Sequence, residues 1–293
     1  MLKVRSHVPY LYCAPLVALL AVIFAYPILR VADFSTRLIR GASGPFIGLD
    51  NYRFILDDPT FREALKHSVL LLLCVPVLLV ISILLATLLY EQLPAWKFFR
   101  TILFLPYILA IPVVGIVGSF MFQLHGPVNQ ALEAVGLDRL AIDWLGQERY
   151  ALLTVALVIV AREVGFGIVL FLARMMTLDA SHLEAARIDG AGWFQRLRYV
   201  ILPEIRWTVE FYVVVAAITM LAWVFSYVYT LTQGGPGTAT ITMELYIYNV
   251  GEVQSTPGMA SAAAAVLLVA TSVLIAFLFL ARWRAARAEA QGT

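Results

Sequence analysis

Six runs of apolar residues, at 10–32, 67–90, 101–123, 151–175, 208–232 and 259–281, constrain this chain more than any other feature. Each is about twenty residues or more, the length a helix needs to cross a bilayer's hydrocarbon core. Lipid offers no partner for a bare N–H or C=O, so such runs must be helices. The expected fold class is an all-α membrane protein of six transmembrane helices, organised as a single integral-membrane domain over 1–293. Composition agrees: 61% of residues are hydrophobic and 14% charged, whereas soluble domains carry roughly 25% charged residues. A net charge of +2 gives no reason to expect nucleic acid. Cys13 and Cys74 both lie inside apolar runs, where thiols pack rather than form a disulfide framework. The opening MLKVRSH resembles the n-region of a signal peptide, but the run behind it is too long for an h-region and no A-x-A site ends it. It is expected to be a retained span.

An even number of spans puts both termini on one side. With the termini inside, twelve Lys and Arg fall on inner segments, Lys3 and Arg5 among them, and eight on outer ones, including Arg40. Arg30 and Arg174 stand at span ends and are counted with the flanking segments, which leaves Arg162 as the one basic residue deep inside a span. Basic residues concentrate on cytoplasmic loops, so the termini and the connection at 177–207 are expected in the cytoplasm of a multi-pass plasma-membrane protein.

That connection reads TLDASHLEAARIDGAGWFQRLRYVILPEIRW. Ser181 and Glu184 have the spacing of a capping box, which predicts a helix from His182 to Ile188. Asp189-Gly190 then ends it, since glycine supplies positive φ. Trp193, Phe194, Leu197, Val200 and Ile201 predict one apolar face of a second helix, which stops near Leu202 because Pro203 has no N–H. One reading is an amphipathic connector lying along the interface. The other follows from the small Ala185 and Ala186, which suit close approach by another protein more than burial in lipid.

Glu184-Ala185-Ala186, Asp189-Gly190-Ala191 and Ile201-Leu202-Pro203 resemble the EAA loop of ABC-importer permease subunits. The likeness continues through APLVALLAVIFAYPILR, GLDNYRFILDDPTFREALKHS, FFRTILFLPYILAIPVV, IDWLG and LTQGGPGTAT, words similar to those of carbohydrate-uptake permeases for maltose, trehalose or glycerol phosphates. Trp207 departs from the proline common in the family at that place. The resemblance implies that Leu183, Glu184, Ala185, Ala186, Asp189, Gly190, Ala191, Leu202 and Pro203 form a coupling loop against a separate ATPase. It further implies a homologous second permease subunit, two ATPase subunits that hold the ATP and Mg, an external substrate-binding protein, and membrane lipid around the spans. No cofactor is expected on this chain. Its solute is then a sugar or related polar molecule, passed inward by alternating access.

Other motifs are local. Asp57-Asp58-Pro59 predicts a turn, and Thr60 with Glu63 a second capping box. Pro76, Pro106 and Pro112, with Gly115 and Gly118, predict kinks in spans two and three; the competing reading is that proline and glycine are simply common in membrane spans. Residues 233–238, QGGPGT, are a turn but not a phosphate loop, because no Lys-Ser/Thr follows. The resemblance turns this loop toward the binding protein; a plain tight turn is the competing reading.

No HExxH, CxxC pair, G-x-S-x-G or Walker sequence is present, so the chain is not expected to be catalytic. His7, His67, His125 and His182 fall at four separate places near span ends or in loops and are expected to be interfacial or exposed. Arg162 and Glu163 lie mid-span, where a charge costs about 2.5–3.5 kcal/mol on insertion scales. Neighbours on a helix point about 100° apart, so the two are not expected to share one narrow partner. Either each pairs with a neighbouring helix, or one hydrogen-bonds a solute in transit. Trp223, Phe225, Ser226 and Tyr227 join them as candidate pathway residues, since aromatic rings with polar tips suit sugar faces; Tyr229 reads better as an interfacial belt residue. Small residues at 260–265 allow close helix contact. Two other classes remain. An ion-coupled transporter needs mid-membrane carboxylates, and Glu163 is the one acid there; a membrane-embedded enzyme needs a catalytic cluster.

Overall fold

A computed structural model describes residues 8–39, 43–92 and 94–291. Lys3, Arg5, His7 and Arg40, used in the charge and histidine readings, lie outside the described residues. The described residues are mostly helical and include no β-strand; Arg37 and Phe46 make an isolated bridge.

Among the described residues, five helices are long and apolar enough to cross a membrane: Tyr12–Ser35, Pro59–Tyr90, Glu148–Met175, Trp193–Ala222 and Pro257–Leu280. The expected third span is a pair, α5 (Trp96–Ile108) and α6 (Ile111–Met121), bent by 103°. Six spans are reached when that pair counts as one. Pro106 lies inside α5, and Pro112 is the second residue of α6, in the first turn, where its missing N–H has no intrahelical partner to lose. Span five also differs from expectation. It breaks at Trp223–Val224 between α11 (Leu202–Ala222) and α12 (Phe225–Leu231).

The chain groups into two compact units. One comprises Met1–Phe61 and Tyr246–Val269. In it, α1 (Val8–Ser35) is followed by a loop fixed by Asn51, whose amide donates to the Ser35 and Arg37 carbonyls, both at 2.9 Å. The Tyr246 hydroxyl donates to Asp58 at 2.8 Å, and its ring meets Phe61 edge-on. Asp58 accepts from the Thr60 N–H at 2.8 Å and starts α3 (Pro59–Leu71). This carboxylate, rather than a Thr60–Glu63 box, opens the second span, eight residues earlier than its apolar run.

The other unit comprises Arg62–Leu245 and Ala270–Thr293, with its core along α8 (Glu148–Met175). Ile159, Ile168, Phe171 and Met175 are fully buried there, as is Ala86 of α4 (Cys74–Tyr90). A methyl at Gly167 would collide with Ser82 and reach 2.8 Å from the Tyr212 ring. Ser82 Oγ in turn lies 3.3 Å from the Tyr212 hydroxyl and bonds the Val164 carbonyl. Lipid tails are as apolar as leucine, so such close approach and interhelical hydrogen bonding hold these helices together rather than hydrophobic burial. His67 is buried, with Nδ1 3.0 Å from the Ile241 carbonyl, a correction to its expected place at an interface.

Candidate functional site

The two broken spans meet α8 at Arg162. Leu109 ends α5, and its extended ψ of 143° leaves its carbonyl outside a continued helix. Arg162 Nε and Nη2 donate to that carbonyl at 3.3 and 3.2 Å. Its Nη1 lies 2.6 Å from Glu163 Oε1 and 3.2 Å from the Tyr227 hydroxyl, which itself donates to Glu163 at 2.6 Å. The guanidinium also sits 4.8 Å from the Tyr107 ring centroid. Arg162 and Glu163 thus share Tyr227, against the expectation that adjacent helical residues diverge. Their long side chains turn back toward each other, which the angle between Cα–Cβ bonds does not forbid.

These contacts satisfy most of the five donors of the guanidinium. Both side chains are only 12% exposed, where separation of the pair would leave a naked charge. The arrangement presents a neutral, hydrogen-bonded cluster rather than a free cation.

The break in span five is held differently. Glu244, on α13 (Met243–Tyr248), accepts from the Val224 and Phe225 N–H groups at 2.8 and 2.6 Å. A carboxylate at a helix N-terminus is favourable for the same reason that Arg162 suits the carbonyl end of α5. Between the breaks, α12 lies on α6 so closely that a methyl at Gly115 would collide with the Thr230 hydroxyl. At Gly118 it would come within 3.0 Å of Leu231.

Of the pathway candidates, Arg162, Glu163 and Tyr227 converge. Phe225 stacks instead on Tyr229, with centroids 5.3 Å apart, and the Ser226 carbonyl accepts from Thr230. Trp223 ends α11 and is exposed. Tyr107, the Leu109 carbonyl and Glu244 were not among the candidates. Tyr107 stands beside the Pro106 signal, whereas nothing local marks Glu244, whose partners lie about twenty residues earlier.

The second region is the connection between spans four and five. Its first helix, α9 (Ala180–Ile188), begins two residues before His182. Asp179 is the cap, accepting from the Ser181 N–H at 2.9 Å, so the Ser181–Glu184 box is displaced. That hydrogen bond holds the Asp179 carboxyl below its ordinary pKa. At the other end Gly190 has φ +77°, with its N–H on the Arg187 carbonyl and that of Ala191 on Ala186. This is a Schellman closure.

The second helix does not stop at Leu202. α10 (Trp193–Arg196) passes through a π-helical turn, Leu197–Ile201, into α11. Pro203 sits in the first turn after that widened segment, which interrupts the ordinary i−4 ladder where proline cannot donate.

Leu183, Leu197 and Ile201 are buried and fasten the connection inward. Glu184, Ala185, Asp189, Gly190 and Pro203 are exposed, while Ala186, Ala191 and Leu202 are half-buried. Ile188, Phe194 and Tyr199 are 85%, 67% and 74% exposed, a large apolar area at a polar turn.

The sequence pattern of a family described as "Binding-protein-dependent transport system inner membrane component" matches residues 57–286. A probable ABC transporter permease protein of Bacillus subtilis, YurN, is 33% identical over 281 residues, covering 94% of this chain and 95% of its own. The lactose transport system permease protein LacF of Rhizobium radiobacter is 33% identical over 245 residues, 82% of each chain. The sn-glycerol-3-phosphate transport system permease protein UgpA of Agrobacterium fabrum is 31% identical over 276 residues, 92% of this chain and 93% of its own. Among solved structures, a bacterial alginate ABC transporter in complex with an alginate-pentasaccharide-bound periplasmic protein contains a chain of like fold. Its TM-score is 0.80 at 25% identity, covering 94% of this chain and 93% of that one.

Proposed function

The chain belongs to the family of inner membrane components of binding-protein-dependent transport systems, as a permease subunit of an ABC importer, and from that membership we propose that it passes a neutral sugar or closely related polar solute inward. It works as one permease domain beside a homologous partner, with both termini and the loop at 177–207 in the cytoplasm of the plasma membrane. Two ATPase subunits, carrying ATP and Mg, dock on that loop. An external binding protein delivers the solute.

The observation that carries the coupling reading is the exposed turn itself. Small Ala185 and Ala186 and positive-φ Gly190 lie beside exposed Ile188, Phe194 and Tyr199, while Leu183 and Leu197 anchor the base. A protein groove fits such a surface. Lipid would favour a continuous apolar face instead. The neutral-solute reading draws on the Arg162–Glu163 pair, since an anion needs a cation that is not already matched. Relatives named for lactose and for glycerol phosphate frame the choice.

Uptake by the complete system in proteoliposomes tests it. A neutral disaccharide pool should be taken up in preference to sn-glycerol 3-phosphate; the opposite preference would overturn the assignment of solute class. Impermeant thiol reagents on intact cells test the orientation. A cysteine placed at Gly235 should react and one at Gly192 should not.

A further inference from the structure

We propose that Arg196 and Glu91 form a charged strut through which the loop at 177–207 also moves span two, a step that rests on reading that loop as the ATPase-coupling element. The chain itself joins the loop to spans four and five. Span two has no such covalent link.

Glu91 caps α4, its N–H reaching the Thr87 and Leu89 carbonyls. A carboxylate at a helix C-terminus faces the negative end of the helix dipole, so its position there is locally unfavourable. Arg196 supplies the compensation from 105 residues away: its Nη2 lies 2.6 Å from Glu91 Oε1. Nη1 donates at 3.0 Å to the carbonyl of Ala191, in the turn behind Gly190. One rigid guanidinium therefore ties the end of α4 to the turn and to α10, with the two side chains only 15% and 21% exposed.

The mechanical consequence follows from range. Charge-assisted hydrogen bonds of this kind hold at about 2.7–2.9 Å, so a displaced loop either carries the end of α4 along or parts the pair. Arg196 is well placed for that role because Leu197 beside it is buried and fixed. Lysine would supply charge without the two-way fork. Both act as positioning residues in this proposal, through their contact with each other and with the Ala191 carbonyl.

The test uses the full transporter reconstituted with its ATPase, partner permease and binding protein. Arg196→Ala and Glu91→Ala are compared with the reversed pair, Arg196→Glu with Glu91→Arg, and with Ala186→Trp. The single variants should retain co-purifying ATPase and basal hydrolysis while losing about five- to tenfold of binding-protein-stimulated hydrolysis, within the usual range of coupling between sites. The reversed pair should regain most of it. Wild-type stimulation in both single variants, with Ala186→Trp uncoupled, would overturn the strut alone. A reversed pair as low as the singles, or ATPase lost from both singles, would also overturn it, reducing the contact to local structure. Wild-type stimulation in Ala186→Trp would instead sink the coupling reading on which the strut depends.

Discussion

Two regions of this chain treat groups that suit their surroundings poorly, buried polar ones and exposed apolar ones, in opposite ways. Around the breaks in spans three and five, polar groups are matched within the chain: Arg162 meets the Leu109 carbonyl, Glu163 and Tyr227, and Glu244 meets the Val224 and Phe225 N–H groups. In the loop between spans four and five, by contrast, Ile188, Phe194 and Tyr199 are left open. Disturbance of the first region should damage the permease itself. Disturbance of the second should damage what the permease does with a partner.

The largest effect is expected at the matched cluster. Arg162→Ala strands Glu163 beside Tyr227, and breaking a buried pair costs about 3–5 kcal/mol. Membrane-inserted protein and its detergent melting temperature should both fall sharply. Normal insertion with lost transport would instead mark Arg162 as a solute ligand.

Next come the close approaches. Gly167→Val and Gly115→Val insert bulk against Tyr212 and Thr230 and should cost about 1–3 kcal/mol each by overpacking. Thermal unfolding should reveal this without loss of the ATPase from the folded fraction. Equal stability of wild type and Gly115→Val would mean that α6 and α12 separate easily.

The smallest effect belongs to Asp179. Its folded-state pKa is depressed by the Ser181 N–H, so its contribution is present above the unfolded aspartate value, about 3.9. It is lost as pH falls through the lower folded value. Asp179→Asn retains an oxygen acceptor and should be milder than Asp179→Ala. Fraying of α9, followed by amide exchange above pH 5, should be detectable in the alanine variant only.

Much of this contrast was legible beforehand. Apolar run length pointed to a helical chain with five or six membrane-crossing helices among the described residues, and Asp189-Gly190 marked its turn because few residues other than glycine accept φ +77°. The cap pattern misled twice in the same way. Ser181–Glu184 and Thr60–Glu63 both have the right spacing, but in each case an aspartate two residues before the hydroxyl residue took the cap. Spacing alone does not rank competing acceptors. The break at Trp223–Val224 carries no Pro or Gly and is held by Glu244, so only tertiary placement reveals it. Pro203 reads as a stop in the sequence, because the widened turn before it leaves no sequence mark. The meeting of Arg162 with Glu163 depended on rotamers that helix geometry alone does not fix.

In the proposed coupling, ATP hydrolysis is passed to the spans at the turn that holds Ala185, Ala186 and Gly190. Ala186→Trp overpacks the proposed groove, and Gly190→Val opposes the positive φ that closes α9. The most direct measurement is solute-stimulated ATP hydrolysis by complexes reconstituted from equal amounts of membrane-inserted protein. Both variants should insert normally and lose most of the stimulation. Stimulation at the wild-type level in both would rule out coupling at this turn and leave the loop an interfacial connector.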